Sequence, residues 1–280
     1  MEELVKDIHI ETGYEGVNVG VIVTPTGVIC VDVPSYARDA RDWAARIHRL
    51  SPYPVQYLIL TDCHGDRILN TRWLNAPIIA HQVSAEQLRN YEKKYPTQLI
   101  DSLAMRNPHR ARELSAGPVE HPAMSFSGEI TLFKSGRQIT LRHAPGPMVG
   151  HCWVLLPDFG VAFVGDTLSV GQHPLLRDPT SAAWLANLRW LAQARQYIFV
   201  VPGRGPMQDK SAIQTVIEYL ETMRGRMAEH IKANRGRDDM AELITELLPY
   251  FPHDPRPTDW LRQQMKLGLG YLYDEVKSQA

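Results

Sequence analysis

The stretch Leu58-Ile59-Leu60-Thr61-Asp62-Cys63-His64-Gly65-Asp66-Arg67 sets the reading of everything around it. An apolar run, Val55 to Leu60, stops abruptly in a cluster of ionisable side chains. The run reads as a buried strand, and the polar cluster falls at its carboxyl end, where open α/β sheets place their chemistry. In an extended or tightly turning segment, Asp62, His64 and Asp66 alternate onto one side while Cys63 and Gly65 point away. Three groups able to bind a metal or handle a proton therefore converge.

Working outward, Val19 to Val23 and Val28 to Val33 are β-branched runs separated by Thr24-Pro25-Thr26-Gly27, a hairpin turn set by proline and glycine. Ser35 is expected to cap a helix in which Ala40, Trp43, Ala44, Ile47 and Leu50 recur at helical spacing; Pro52 and Pro54 end it. Beyond the polar cluster, Ile68 to Leu74 suits a short helix and Ala76 to Ala80 a strand. Ser84-Ala85-Glu86-Gln87 reads as a capping box opening another helix. From Tyr95 to Pro122 the pattern weakens, which suggests a mostly helical insertion, either one wall of a pocket or a solvated excursion.

A second β-rich half follows. Ile130 to Phe133, Gln138 to Arg142, His151 to Leu156 and Val161 to Val164 form a meander bounded by glycines. An amphipathic helix, Ser181 to Ala194, and a strand, Tyr197 to Val201, close it. Two β-rich units, each closed by a helix, imply an α/β fold with two sheets face to face and helices outside. From Met207 the character turns helical. Ile213, Val216, Ile217, Leu220 and Met223 mark one helix, Asp238 or Asp239 caps a second, and Thr258-Asp259 opens a third reaching Tyr273. The expected division is 1–206, with an insertion at about 95–122, and a helical extension at 207–280. That extension is either a helical cap over apolar surface or a specificity or homo-oligomerisation element.

Composition narrows the function classes. With 30 basic and 31 acidic residues and a formal charge of −1, bulk charge offers no basis for binding nucleic acid or a membrane surface. At 280 residues and 44% hydrophobic, the chain can bury a large core without disulfides. Cys30, Cys63 and Cys152 cannot all pair, so a reducing interior is expected, with cytoplasm as the compartment. No run approaches the roughly 18 apolar residues of a membrane span.

Four segments carry a resemblance: Thr61-Asp62-Cys63-His64-Gly65-Asp66-Arg67, Ala144-Pro145-Gly146-Pro147-Met148-Val149-Gly150, Val164-Gly165-Asp166-Thr167-Leu168 and Val201-Pro202-Gly203-Arg204-Gly205. In order and spacing, from about residue 15 to 206, they resemble the metallo-β-lactamase superfamily, especially its glyoxalase II-like hydrolases. The resemblance implies a four-layer αββα sandwich with its site in the cleft where the loops meet. It also implies hydrolysis of an ester, thioester, amide or phosphoester by a metal-bound hydroxide.

This chain departs from the family pattern at the ligands. Where the family has T-H-x-H-x-D-H, Asp62 replaces the first histidine and Arg67 the last; Pro147 and Arg204 stand at two further histidine positions. A first metal site would retain Asp62, His64 and Asp166, ligands for a single zinc, iron or manganese ion. A second would keep Asp66 and Asp166 but meet Arg67 and Arg204, which have no lone pair to donate. Two readings follow. In one, an altered hydrolase holds at most one metal: Asp66 positions or deprotonates water and Arg67 or Arg204 binds an anionic substrate. In the other, a metal-free pseudoenzyme binds an anionic small molecule through Arg67 and Arg204. A third role, as a scaffold acting through the tail, leaves the cleft a packing relic. His64 is alternatively structural, bonded to Asp62 or Asp166. His143 and His151 flank the altered second motif as candidates to replace the lost ligand, with His151 expected to point the wrong way or sit too far along the strand, and Cys63 is expected to turn from the cleft.

Overall fold

A hairpin of β1 (Glu2–Val5) and β2 (Ile8–Glu11) precedes the β3 (Val19–Thr24) and β4 (Gly27–Val31) hairpin. In this computed structural model, which describes residues 1–114 and 117–279, the four pair antiparallel as one edge of a seven-stranded sheet. Helix α1 (Ala37–Leu50) crosses over to β5 (Val55–Ile59), parallel to β4. After α2 (Gly65–Ile68) and a 3-10 turn at Thr71–Leu74 come β6 (Ile78–His81), α3 (Gln82–Asn90) and α4 (Thr97–Arg106). β7 (Met124–Phe126) completes the sheet, parallel to β6. The second sheet is the expected meander, β8 (Glu129–Lys134), β9 (Arg137–His143), β10 (Cys152–Leu156) and β11 (Val161–Phe163). Helix α5 (Ser181–Gln193) leads into β12 (Phe199–Val201), which adds parallel to β11.

Side-chain alternation sorts the strands between layers. Ile29, Val31 and Ile59 meet Leu141, Val154 and Phe163 between the sheets. Their neighbours Cys30, Leu58 and Leu60 face Trp43 of α1. On the far side, Trp153 and Leu155 pack under Trp184 and Leu188 of α5. The layers are helix, sheet, sheet, helix.

The tail comprises α6 (Ser211–Lys232), α7 (Ala241–Leu247) and α8 (Thr258–Ser278). Leu220, Leu247 and Leu269, one from each, share the apolar cluster of the second sheet's outer face. Among the described residues, no helix is long and apolar enough to cross a membrane.

Several local expectations are corrected. The first hairpin and β7 carry no strong strand signal of their own; pairing to an existing sheet edge makes them strands. Ser35 does not cap α1, whose N-cap is Tyr36. The helix at Gln82 starts before the proposed capping box, with the His81 ring accepting from the Val83 N–H, and Ser84 Oγ donates instead to the Gly150 carbonyl at 2.9 Å. Met240, not an aspartate, precedes α7, and α8 continues past Tyr273 to Ser278.

Candidate functional site

Carboxyl ends of strands from both sheets meet at one edge of the sandwich and deliver the ionisable groups there. Asp32 follows β4 in a left-handed conformation, φ 57°, that aspartate tolerates better than most residues. Its Oδ1 accepts the Thr61 N–H at 2.9 Å; its Oδ2 accepts Thr61 Oγ at 2.7 Å and Arg67 Nε at 3.0 Å. Burial pushes this carboxyl up to about 6, although Arg67 opposes the shift.

Arg67, on the short α2, is wholly buried. Its Nη1 and Nη2 donate to the two oxygens of Asp166 at 3.0 and 2.6 Å, a forked pairing of the kind guanidinium geometry favours. Arg204, just past β12, donates through Nε and Nη2 to Asp166 Oδ2 at 3.0 and 2.7 Å and through Nη1 to Asp66 Oδ2 at 2.6 Å. Arg106, the last residue of α4, also donates to Asp66. Burial alone would raise Asp66 and Asp166. Arg204, His64 and Arg106 hold the first well below its ordinary range; Arg204 and Arg67 do the same for the second. Gly203 is required by the closeness of this packing: a Cβ there would sit 2.4 Å from the Gly165 carbonyl carbon and 2.5 Å from Asp166 Oδ1.

His64 Nδ1 donates to Asp66 Oδ1 at 2.7 Å, so its structural partner is Asp66 rather than Asp62 or Asp166. Burial lowers the imidazole's pKa against the pull of Asp66, leaving it neutral near pH 7. Asp62 accepts the His64 backbone N–H at 2.7 Å and has Arg67 Nη1 at 3.5 Å.

His151 does not point away. The Cys152 N–H bonds to the Thr61 carbonyl at 2.8 Å, which draws the start of β10 beneath the first motif and brings His151 Nε2 to 3.5 Å from Asp62 Oδ2. That ring is buried with neither nitrogen hydrogen-bonded. His143 turns elsewhere, bonding to the Val149 carbonyl and stacking on His81. Cys63 faces Gln87, with burial pushing its thiol up to about 12.

Asp62, His64, Arg106, Asp166 and Arg204 floor a cleft of about 420 Å³, its open mouth included, lined also by Pro147, Arg177, Arg256 and Trp260. The Pro147 carbonyl accepts the backbone N–H groups of Arg177 and Asp178 at 2.8 and 3.2 Å. The altered second motif thus anchors a loop that brings a further guanidinium to the cleft. The Arg177 side chain bonds to Gln264 of α8 and has no carboxylate in ion-pair range among the described residues. Burial first, then Arg106 and Arg204, lower its pKa to about 10.

Sequence reasoning passed over Asp32, Arg106 and Arg177. Asp32 ends β4 as Asp62 follows β5, so the rule applied to one strand end would have found the other. Arg106 and Arg177 lie on a weakly patterned insertion and a loop, where no periodicity marks them.

The residues present do not fit a metal ion. Asp62, His64 and Asp166 line one cleft, but Asp166 is occupied by two guanidinium groups and His64 Nδ1 is turned to Asp66. Among the described residues, no three His, Cys, Asp or Glu side chains form a group that could hold a metal. Arg67 and Arg204 are likewise paired with carboxylates.

A sequence model of the metallo-beta-lactamase superfamily matches residues 12–197. No curated protein is significantly similar in sequence. Among solved structures, a metallo-beta-lactamase family protein from Thermus thermophilus superposes with a TM-score of 0.69 at 18% identity, covering 97% of this chain and 95% of its own. A metallo-beta-lactamase from Pontibacter korlensis gives 0.61 at 17%, covering 79% and 97%. A stereoselective inverting sec-alkylsulfatase from Pseudomonas sp. gives 0.69 at 12%, covering 97% of this chain and 49% of its own. At these identities the structural likeness is one of fold.

Proposed function

This chain belongs to the metallo-beta-lactamase superfamily, and from that premise we propose that it is a metal-free member whose cleft binds an anionic small molecule. One observation carries the reading: Arg67 forks onto Asp166 while Arg204 bridges Asp166 and Asp66. Two fixed positive charges lie among the carboxylates, so a divalent ion would have to displace them and leave them buried and unpaired. The order of the four motifs supports a place beside the glyoxalase II-like hydrolases, with the metal's charge replaced. Arg177 supports the choice of an anion, since a guanidinium without a carboxylate partner in a cleft is completed by one.

Elemental analysis of protein purified without chelator tests the metal-free reading. Less than about a tenth of an equivalent of zinc, iron and manganese together is expected. One tightly held equivalent, whose removal lowers the melting temperature, would overturn it.

A second reading is favoured by His64. Its Nδ1 is fixed by Asp66 while the ring lines the cleft, an arrangement suited to accepting a proton from water or a substrate hydroxyl without a metal. Hydrolysis of an ester or thioester in excess chelator, rising with pH through the titration of a neutral imidazole and abolished in His64→Ala, would establish it. No turnover across such a panel leaves the binding role alone.

A further inference from the structure

Beside the cleft lies a groove of about 1010 Å³, mouth included, between α4, α8 and the loops that follow β5 and β9. The two spaces are continuous at their walls, for His64, Met148, Arg177 and Trp260 line both. Away from Arg177 the groove is faced by Tyr91, Leu99, Leu103 and Tyr271. About 450 Å³ of it can hold a water-sized sphere, within the ~300–1,000 Å³ typical of small-molecule sites. Arg177 stands at the end shared with the cleft, beside Asp178, whose carboxylate accepts the Val149 N–H at 2.7 Å. Trp260 fixes the wall between α4 and α8, its indole N–H donating to the Ser102 carbonyl at 3.1 Å.

Resting on the anion-binding reading above, we propose that the ligand is an amphipathic carboxylate, its head on Arg177 and its apolar body along the groove between α4 and α8. A carboxylate matches Arg177 because one guanidinium, with one donor already given to Gln264, keeps enough N–H groups for two oxygens and balances a single charge. Leu99, Leu103, Tyr91 and Trp260 offer the contact area for an apolar body, while Gln87, Gln98 and Ser102 supply the groove's polar lining.

Titration calorimetry on the full chain with acetate, butyrate, hexanoate, octanoate and decanoate tests this, with inorganic phosphate and 1-octanol as controls. Affinity should tighten about two- to fourfold for each methylene that enters the groove. 1-Octanol should bind at least tenfold more weakly than octanoate. Arg177→Met should abolish octanoate binding, whereas the uncharged Leu99→Gln, on a partly exposed position of α4, should flatten the chain-length series and weaken octanoate far more than acetate or phosphate. Acetate and phosphate binding through Arg177 with no dependence on chain length would overturn the amphipathic ligand while leaving the anion site standing. Chain-length dependence unchanged in Arg177→Met would overturn the assignment of the head group. No binding of any anion, with the variants folded by circular dichroism, would overturn both.

Discussion

Arg67 and Asp166 are 99 residues apart in the chain yet meet in a two-pronged contact of 2.6 and 3.0 Å. The arginine hangs from the segment after β5 and the aspartate from the segment after β11, so the contact joins the two sheets at the edge where the cleft opens. Arg67→Met should leave Asp166 and Asp32 buried with too little positive charge and cost about 3–5 kcal/mol. Arg67→Lys keeps the charge but loses the fork and should fall between. A double variant, Arg67→Met with Asp166→Leu, should recover part of the loss. Urea denaturation of the four proteins measures this; a single variant within about 0.5 kcal/mol of wild type would mean that the fork is not a structural clamp.

Gly203 lies where three chain segments are closest. Gly203→Ala would bring a methyl carbon to 2.6 Å from Arg67 Nη2 as well as against Gly165 and Asp166. Backbone and a buried ion pair must both shift, so a loss of about 1–3 kcal/mol is expected, typical of overpacking. Gly171, with open space around its Cβ position but φ at 70°, is the control: an alanine there meets conformational strain alone and should cost about 1 kcal/mol. Comparing their denaturation midpoints separates crowding from strain.

If guanidinium groups stand in for metal charge, histidines at the departing positions should restore a demand for metal. The combined variant Asp62→His, Pro147→His, Arg67→His and Arg204→His removes two cations from around Asp66 and Asp166 and supplies four imidazoles. Without metal it should melt well below wild type. With zinc at a hundred times its dissociation constant, it should gain about 2.7 kcal/mol. Wild type should show no zinc-dependent shift in the same scan.

The acid response of the fold contains opposing contributions. Asp66 and Asp166 are held below the ordinary aspartate value of 3.8, so the stability they contribute is present above it and lost as pH falls through their lower folded values. His64 and His151 are lowered by burial from 6.5, so their contribution is likewise present above that value and lost on acidification. Asp32 runs the other way: its carboxyl, raised to about 6, favours folding most below 3.8, and that contribution is lost as pH rises through 6. The difference in stability between wild type and Asp32→Asn should therefore shift by up to about 3 kcal/mol between pH 4 and 7, wild type gaining toward the acid side. Parallel pH profiles for the two would rule out Asp32 as a titrating group.

The order of layers was legible because apolar runs and turn residues report strands and hairpins wherever a strand is buried on both faces. Gly27–Val31 and Cys152–Leu156 are such strands. Met124–Phe126 and the opening hairpin were not, since they are short or half-exposed and owe their form to a neighbouring strand. In the cleft, the departing arginines were readable at their motif positions, but their partners were not. Asp32 becomes a partner of Arg67 only when β4 and β5 lie side by side, and Arg177 enters only because a proline carbonyl holds its loop. Sequence spacing gives the residues near a strand end; which of them neutralise one another depends on packing between elements far apart in the chain.

Glu275 ties the tail to the sandwich. From α8 its carboxylate accepts the N–H groups of Ser181 and Ala182 at 2.9 Å each and the Ser181 hydroxyl at 2.7 Å, capping the start of α5 from another helix. Arg224 of α6 pairs with the same carboxylate at 3.1 Å. A buried acceptor at a helix N-terminus satisfies donors the helix cannot, so Glu275→Ala should cost about 1–3 kcal/mol. Deleting residues 258–280 should do far more, because Leu261, Met265, Leu269 and Leu272 belong to the same buried cluster as Trp153 and Trp184 of the second half. At roughly 1.5–3 kcal/mol for each of these four side chains, about 6–12 kcal/mol is lost, comparable with the whole reserve of an ordinary domain. The truncated protein should therefore lack a cooperative thermal transition. A truncation that melted cooperatively near the wild-type temperature, having lost only self-association, would instead make the tail an oligomerisation element on a core that stands without it.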